Sequence, residues 1–179
     1  GVMFVGISDN ISKWGTSEYR GHPTPLEDVH PGPSHVQDLL DRGYHLGFVG
    51  GTDSHTTLTF NRTLENPHIR SQPGLTAFMA AENTREAIYD AMIHRRCYAA
   101  AGDRFLMKAT VNGLEMGQLR EATDSDVGER RVSFSVAGRQ SLRTIEIVRN
   151  GEVVHAVEPD GWKHGGEWID EDPLESIAL

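Results

Sequence analysis

The pattern of apolar residues changes near residue 104, and this change constrains the fold more than any other feature of the chain. Before it, segments with helical spacing alternate with short apolar runs that are typical of buried strands. After it, apolar and polar residues alternate, and Asn-Gly pairs at positions 112–113 and 150–151 predict tight hairpin turns. The sequence therefore predicts an α/β part over residues 1–104, an antiparallel β module over residues 105–158 and a C-terminal tail over residues 159–179.

The first part has the element order of a parallel α/β protein. An apolar strand at residues 2–7 precedes a long polar loop and a helix that begins with a capping-box pattern at Ser34 and ends at Gly43. The next strand covers residues 44–49. Strand, loop, helix and strand form the repeating unit of a parallel α/β barrel. A further strand at residues 76–81 and a helix from the Asn83 capping box to about Arg96 continue the order.

Composition excludes several classes of protein. The chain carries 26 acidic and 17 basic residues, a net charge of -9, which is opposite to the balance of a duplex-DNA binder. The single cysteine, Cys97, excludes an internal disulfide and is predicted to be a buried, inert thiol. No apolar run approaches the roughly 20 residues that span a bilayer. We therefore expect neither a nucleic-acid partner nor a membrane segment. Composition does not decide the location, for which a cytoplasmic one is our working assumption.

The strongest candidate for chemistry is residues 50–55, Gly-Gly-Thr-Asp-Ser-His, which directly follow the apolar run at 44–49. Asp53 offers a hard oxygen ligand and His55 a nitrogen ligand for a metal ion. The two glycines would let the backbone turn sharply and approach an ion closely. An Asx turn with a solvated histidine is the structural alternative.

Loop residues on either side of this motif are weaker candidates. His22 lies in the long loop of residues 9–33, which in a barrel would open on the active face. Arg62 and His68 follow the motif, and cations of this kind bind phosphate dianions. Ordinary solvated loop residues are the alternative interpretation for all three.

Residues 47–55 resemble the last metal-binding motif of the PHP (polymerase and histidinol phosphatase) family. Other segments are similar to a large PHP-like subgroup that is known mainly as a domain of unknown function: residues 12–18, 74–78, 84–88, 95–99, 111–113 and 116–117. The resemblance covers roughly residues 5–155. It implies a fold class of α/β type, the C-terminal part of a distorted (βα)7 PHP-type barrel followed by a small antiparallel β module.

The resemblance also implies a metal-dependent phosphoesterase that acts on a small phosphate ester. Asp53 and His55 would bind different ions of a cluster of two or three divalent metals, Zn, Mn or Fe. Glu18 matches a recurrent acidic position of the subgroup, which implies a role near the substrate. Such proteins open with a His-x-His pair, and none occurs here. We therefore expect the chain to be an incomplete fragment of a longer protein, inactive by itself.

Two other functions fit the same residues. A non-catalytic scaffold or ligand-binding fragment is favoured by the absence of His-x-His and by the β module. An amidohydrolase-type reaction on a C–N bond is the other, because similar metal sites serve both chemistries and a fold does not fix a function.

Overall fold

The computed structural model describes residues 3–7, 36–51, 74–101, 104–121 and 128–172. The chain divides into two compact units, Gly1–Arg104 and Phe105–Leu179. The described ranges contain helices α1 (Val36–Asp41) and α2 (Arg85–Ile93). Their strands are β1 Met3–Ile7, β2 Leu46–Gly50, β3 Gly74–Phe78, β4 Cys97–Ala101, β5 Leu106–Val111, β6 Leu114–Glu115, β7 Arg130–Ala137, β8 Ile145–Arg149, β9 Glu152–Val157 and β10 Lys163–Asp170. Neither of these helices is long and apolar enough to cross a membrane.

Strands β1 and β2 form a parallel pair, in register from Met3 opposite Leu46 to Ile7 opposite Gly50. Helix α1 lies between them in sequence. It ends at Gly43, whose φ is 77° and whose N–H donates to the Leu40 carbonyl at 2.9 Å. The left-handed φ of Gly43 brings the Tyr44 N–H to the Leu39 carbonyl at 3.1 Å, so the predicted C-cap role of Gly43 is confirmed. Ser34, the predicted start of the helix, lies outside the described residues.

Strands β3 and β4 pair antiparallel, with Gly74 opposite Ala101 and Phe78 opposite Cys97. Helix α2 therefore connects two strand ends that already lie side by side. It begins at Thr84, whose hydroxyl accepts a hydrogen bond from the Ala87 N–H at 3.3 Å. The cap is thus one residue later than the predicted Asn83.

The predicted (βα)7 barrel is wrong. The described residues are mostly strand in small, largely antiparallel sheets, and the β1–β2 pair is the single parallel pair among them. In a barrel each helix must return the chain to the opposite end of the sheet, so that the next strand runs parallel. Helix α2 instead forms part of the connection within a β3–β4 hairpin, which an alternation of strands and helices in the sequence does not distinguish from a crossover.

The small core of the first unit lies around β2, α2 and β4. Its buried apolar side chains among the described residues are Leu46, Ala91, Cys97, Tyr98 and Ala100. Cys97 is buried as predicted, and burial raises the pKa of its thiol against a smaller opposing hydrogen bond with the Phe48 backbone. Such a thiol is a poor nucleophile at neutral pH.

The second unit is antiparallel throughout its described strands. Four strands form a sheet in the order β10-β7-β5-β6, and β8 and β9 form a separate hairpin. Both Asn-Gly pairs adopt positive φ at each residue: 49° and 78° at positions 112–113, 50° and 83° at positions 150–151. These are the angles of a type I′ turn, and both predicted turns are confirmed.

Strand β10 falls within the segment that we predicted to be an aperiodic tail. It pairs with β7 along its whole length, from Lys163 opposite Ala137 to Asp170 opposite Arg130. Gly165 and Gly166 interrupt the apolar alternation of this strand, which is why its period is not visible in the sequence. Hydrogen bonding to β7 supplies the order that the side-chain pattern does not predict.

Candidate functional site

All the residues to which we assigned a role in metal or substrate binding lie outside the described ranges. These are Asp53 and His55 as metal ligands, and Glu18, His22, Arg62 and His68 as substrate-binding residues. Their roles remain predictions. The structure does describe the strand from which the candidate motif at residues 50–55 starts, together with the residues that hold the end of that strand.

The motif at residues 50–55 begins on the last residue of a parallel strand. Gly50 closes β2, opposite Ile7 of β1. Thr76 of β3 contacts it directly. The Gly50 N–H donates to Thr76 Oγ1 at 3.0 Å, and the same hydroxyl donates to the Gly50 carbonyl at 2.9 Å. The point where the chain leaves β2 is therefore bonded to β3.

The two glycines of the motif differ in their surroundings. A Cβ added to Gly50 would lie 2.4 Å from the Leu75 carbonyl oxygen, far inside van der Waals contact. A Cβ added to Gly51 would meet no atom within 4 Å. Neither residue has a φ in the left-handed region. Gly50 is therefore required by the close approach of β3, and not by the sharp turn that the sequence predicted.

Thr76 is a residue that sequence reasoning missed. It stands in an otherwise apolar strand, Gly-Leu-Thr-Ala-Phe, and is partly buried. A hydroxyl in such a place needs hydrogen-bond partners, and this requirement was the available signal. The sequence does not say which backbone groups would supply them.

The described histidines and arginines of the first unit lie mostly at the surface and bond other groups. His45 and His94 are exposed. His94 and Arg96 both bond the carboxylate of Asp90, with the His94 Nδ1 3.0 Å from an oxygen of that group. Within the residues that the structure describes, no three His, Cys, Asp or Glu side chains are grouped so as to hold a metal ion.

The second unit contains a buried ionic cluster around Asp170, which lies in the segment that we predicted to be a C-terminal tail. Asp170 is 3% exposed and its neighbour Arg130 is 9% exposed. Arg130 Nε donates to one carboxylate oxygen at 3.1 Å, and Arg149 Nη1 donates to the other at 2.7 Å. Arg149 also bonds Asp172 at 3.1 Å.

Both oxygens of Asp170 accept hydrogen bonds from arginine. Burial alone raises the pKa of Asp170, but the hydrogen bonds and charges of Arg130 and Arg149 outweigh burial and hold that pKa below its usual range. The bond with Asp170 in turn raises the pKa of Arg149. A carboxylate this fully paired stays ionised, so the cluster is suited to joining strands and not to proton transfer.

The cluster links the β8–β9 hairpin to the four-stranded sheet. Arg149 ends β8, whereas Arg130 and Asp170 lie on β7 and β10. A second link is the stacking of His155 of β9 on Trp168 of β10, with ring centroids 5.1 Å apart and planes at 12°. These side-chain contacts connect two sheets that share no ladder within the described strands.

Residues 60–125 match the family described as a protein of unknown function (DUF3604). The matched range contains the segments that we compared with the PHP-like subgroup at 74–78, 84–88, 95–99, 111–113 and 116–117. The chain is also 32% identical over 185 residues to an uncharacterized protein of Chlamydia pneumoniae. It is 30% identical to one of Chlamydia trachomatis serovar D and 29% identical to one of Chlamydia muridarum.

These alignments cover 98% of the chain but 29–30% of each relative. The chain therefore spans about three tenths of the length of the curated relatives that it matches. No solved structure matches it at a significant level.

Proposed function

We propose that this chain is part of a metal-dependent hydrolase that acts on a small phosphate ester. One observation carries this proposal: the Asp- and His-containing motif at residues 50–55 starts at the carboxyl end of the parallel strand β2. In proteins with parallel strands, that end of a strand commonly carries the residues that bind and react. The chain covers 29% of its relative from Chlamydia pneumoniae, which leaves room for further ligands elsewhere in such a protein.

The donor set suits divalent ions. Asp53 contributes a carboxylate oxygen and His55 an imidazole nitrogen, a combination that fits Zn, Mn or Fe. When bound, two or three such ions would supply an activated water and offset the negative charge of the phosphate. The residues of this chain would hold the ions through Asp53 and His55. Arg62 and His68 would bind the phosphate oxygens, and Glu18 and His22 would line the substrate-binding site.

Substitution of the two metal ligands in the full-length protein tests this function. Asp53→Asn keeps the shape of the side chain but removes its charge, and His55→Ala removes the nitrogen ligand. We expect each variant to lose metal and to lower kcat/KM by at least about 100-fold, since a catalytic ion contributes several kcal/mol to the transition state. Metal quantification and a panel of phosphate esters measure both effects.

Asp41→Asn is the matched control. It makes the same chemical change at the exposed end of α1, so metal content and turnover should stay at the wild-type level. Wild-type metal content and activity in both Asp53→Asn and His55→Ala would remove these residues from the site and favour a non-catalytic scaffold. Turnover of amides in place of phosphate esters, with loss in the same variants, would favour an amidohydrolase-type reaction.

A further inference from the structure

The hydroxyl of Thr76 bonds both polar backbone groups of Gly50. It accepts from the Gly50 N–H at 3.0 Å and donates to the Gly50 carbonyl at 2.9 Å. The donor and acceptor capacity of one side chain is thus directed at the last residue of β2. Threonine is β-branched and has few allowed χ1 rotamers, so β3 fixes the place of the hydroxyl.

The backbone of Leu75, which precedes Thr76 in β3, also lies close to Gly50. A Cβ on Gly50 would meet Leu75 at 2.4 Å from its carbonyl oxygen and 2.9 Å from its nitrogen. Gly50 is therefore held by two hydrogen bonds to Thr76 and lies against the backbone of Leu75. Two consecutive residues of β3, Leu75 and Thr76, hold the last residue of β2 in place.

We propose that Thr76 is a positioning residue for the metal ligands Asp53 and His55. The inference rests on the proposed function above. Thr76 acts through Gly50 and not by contact with an ion. Only two residues lie between Gly50 and Asp53 in the sequence, so we expect loss of the Gly50 anchor to shift the ligand. Residues that orient metal ligands change affinity strongly although they do not touch the metal.

Replacement of Thr76 in the full-length protein, with Mn²⁺ as the probe, tests this role. Thr76→Val keeps the branched shape and deletes the hydroxyl. We expect Mn²⁺ affinity, measured by competition with a chelator, to fall about 10- to 100-fold, the usual loss when an orienting group is removed. The amide of Gly50 should also exchange its hydrogen faster. Thr76→Ser keeps the hydroxyl and should bind Mn²⁺ within about threefold of wild type, well short of that loss.

Thr84→Ala provides a control for stability. It removes the N-cap of α2 in the same unit and lowers stability without touching Gly50. We expect its Mn²⁺ affinity to equal that of the wild type, even where its unfolding midpoint falls as far as that of Thr76→Val. Reduced affinity in Thr76→Val alone separates positioning from a general loss of stability.

Four results would overturn the positioning role. Wild-type Mn²⁺ affinity in Thr76→Val, together with lost affinity in Asp53→Asn, rejects Thr76 and leaves the proposed function intact. If Thr76→Ser and Thr76→Val lose Mn²⁺ affinity equally, the hydroxyl does not position the ligands. The same holds if Thr76→Val is unfolded and Thr76→Ser, which keeps the hydroxyl, has also lost Mn²⁺ affinity. Wild-type affinity in Asp53→Asn and His55→Ala rejects the proposed function and the positioning role together.

Discussion

Asp170 connects the two sheets of the second unit. Its carboxylate is buried between Arg130 and Arg149 and joins three strands. We expect Asp170→Asn to lower the free energy of unfolding by about 3–5 kcal/mol, because it leaves the buried charge of Arg130 without its partner. Urea unfolding at neutral pH, followed by tryptophan fluorescence, measures the loss.

The same variant should change the dependence of stability on pH. The pKa of Asp170 is lower in the folded protein than in the unfolded chain, where it is about 3.9. Its contribution is therefore complete above the unfolded pKa and is lost as the pH falls through the folded pKa. The wild type should lose stability on acidification in this range, and Asp170→Asn should lose less.

Glu167→Gln is the matched control on the same strand. Glu167 bonds Arg131 at 3.1 Å, but its side chain is 57% exposed. Exposed pairs contribute about 0–1 kcal/mol, so this variant should unfold close to the wild type. If Glu167→Gln and Asp170→Asn lower the free energy of unfolding equally, the buried Asp170 cluster contributes no more stability than an exposed ion pair.

Single residues differ in how far the sequence predicts their surroundings. Burial of Cys97 was predicted because small sulfur side chains are usually buried. Burial of Asp170 was not, because aspartate is almost never buried unless paired and its partners lie 40 and 21 residues away in the chain. The close approach of Leu75 to Gly50 is hidden from the sequence for the same reason.

At the scale of elements, the β8–β9 hairpin depends on its turn at positions 150–151. Gly151 has a φ of 83°, a conformation that costs a residue with a Cβ about 1–2 kcal/mol. We expect Gly151→Ala to lower the free energy of unfolding by about that amount, as measured by urea unfolding.

Gly128→Ala serves as the control in the same unit. Gly128 has open space around its Cβ position and no left-handed φ, so alanine should change stability by less than about 0.5 kcal/mol. A loss in Gly151→Ala no greater than that in Gly128→Ala would contradict the type I′ assignment.

Elements whose geometry is decided locally were predicted well. The Asn-Gly turns and the Gly43 helix end follow from the φ angles that these residues tolerate. The direction of β4 was not predicted, since both a parallel crossover and a hairpin fit the order strand, helix, strand. Pairing of Phe78 with Cys97 decides it, and that contact is not encoded in either periodicity.

For the molecule as a whole, the barrel was predicted from element order and from resemblance, and both leave strand pairing open. One parallel unit, β1–α1–β2, has the expected arrangement. The next strand, helix and strand, β3–α2–β4, do not repeat it, because β3 and β4 pair antiparallel. The second compact unit, Phe105–Leu179, is antiparallel throughout its described strands. The candidate site therefore depends on one strand end, β2, and on its anchor in β3.

The proposed function sets an expectation for this chain alone. Two candidate donors, Asp53 and His55, would hold an ion weakly, because metal affinity depends on a full set of correctly placed ligands. We expect the isolated chain of 179 residues to show little or no phosphatase activity with Mn, Zn or Fe.

The full-length protein should be active with one of these ions and should lose activity to a chelator. Chelator titration and turnover of the same phosphate esters compare the two. An isolated chain as active as the full-length protein would contradict the expectation that further ligands lie elsewhere, and an inactive, metal-free full-length protein would favour the scaffold.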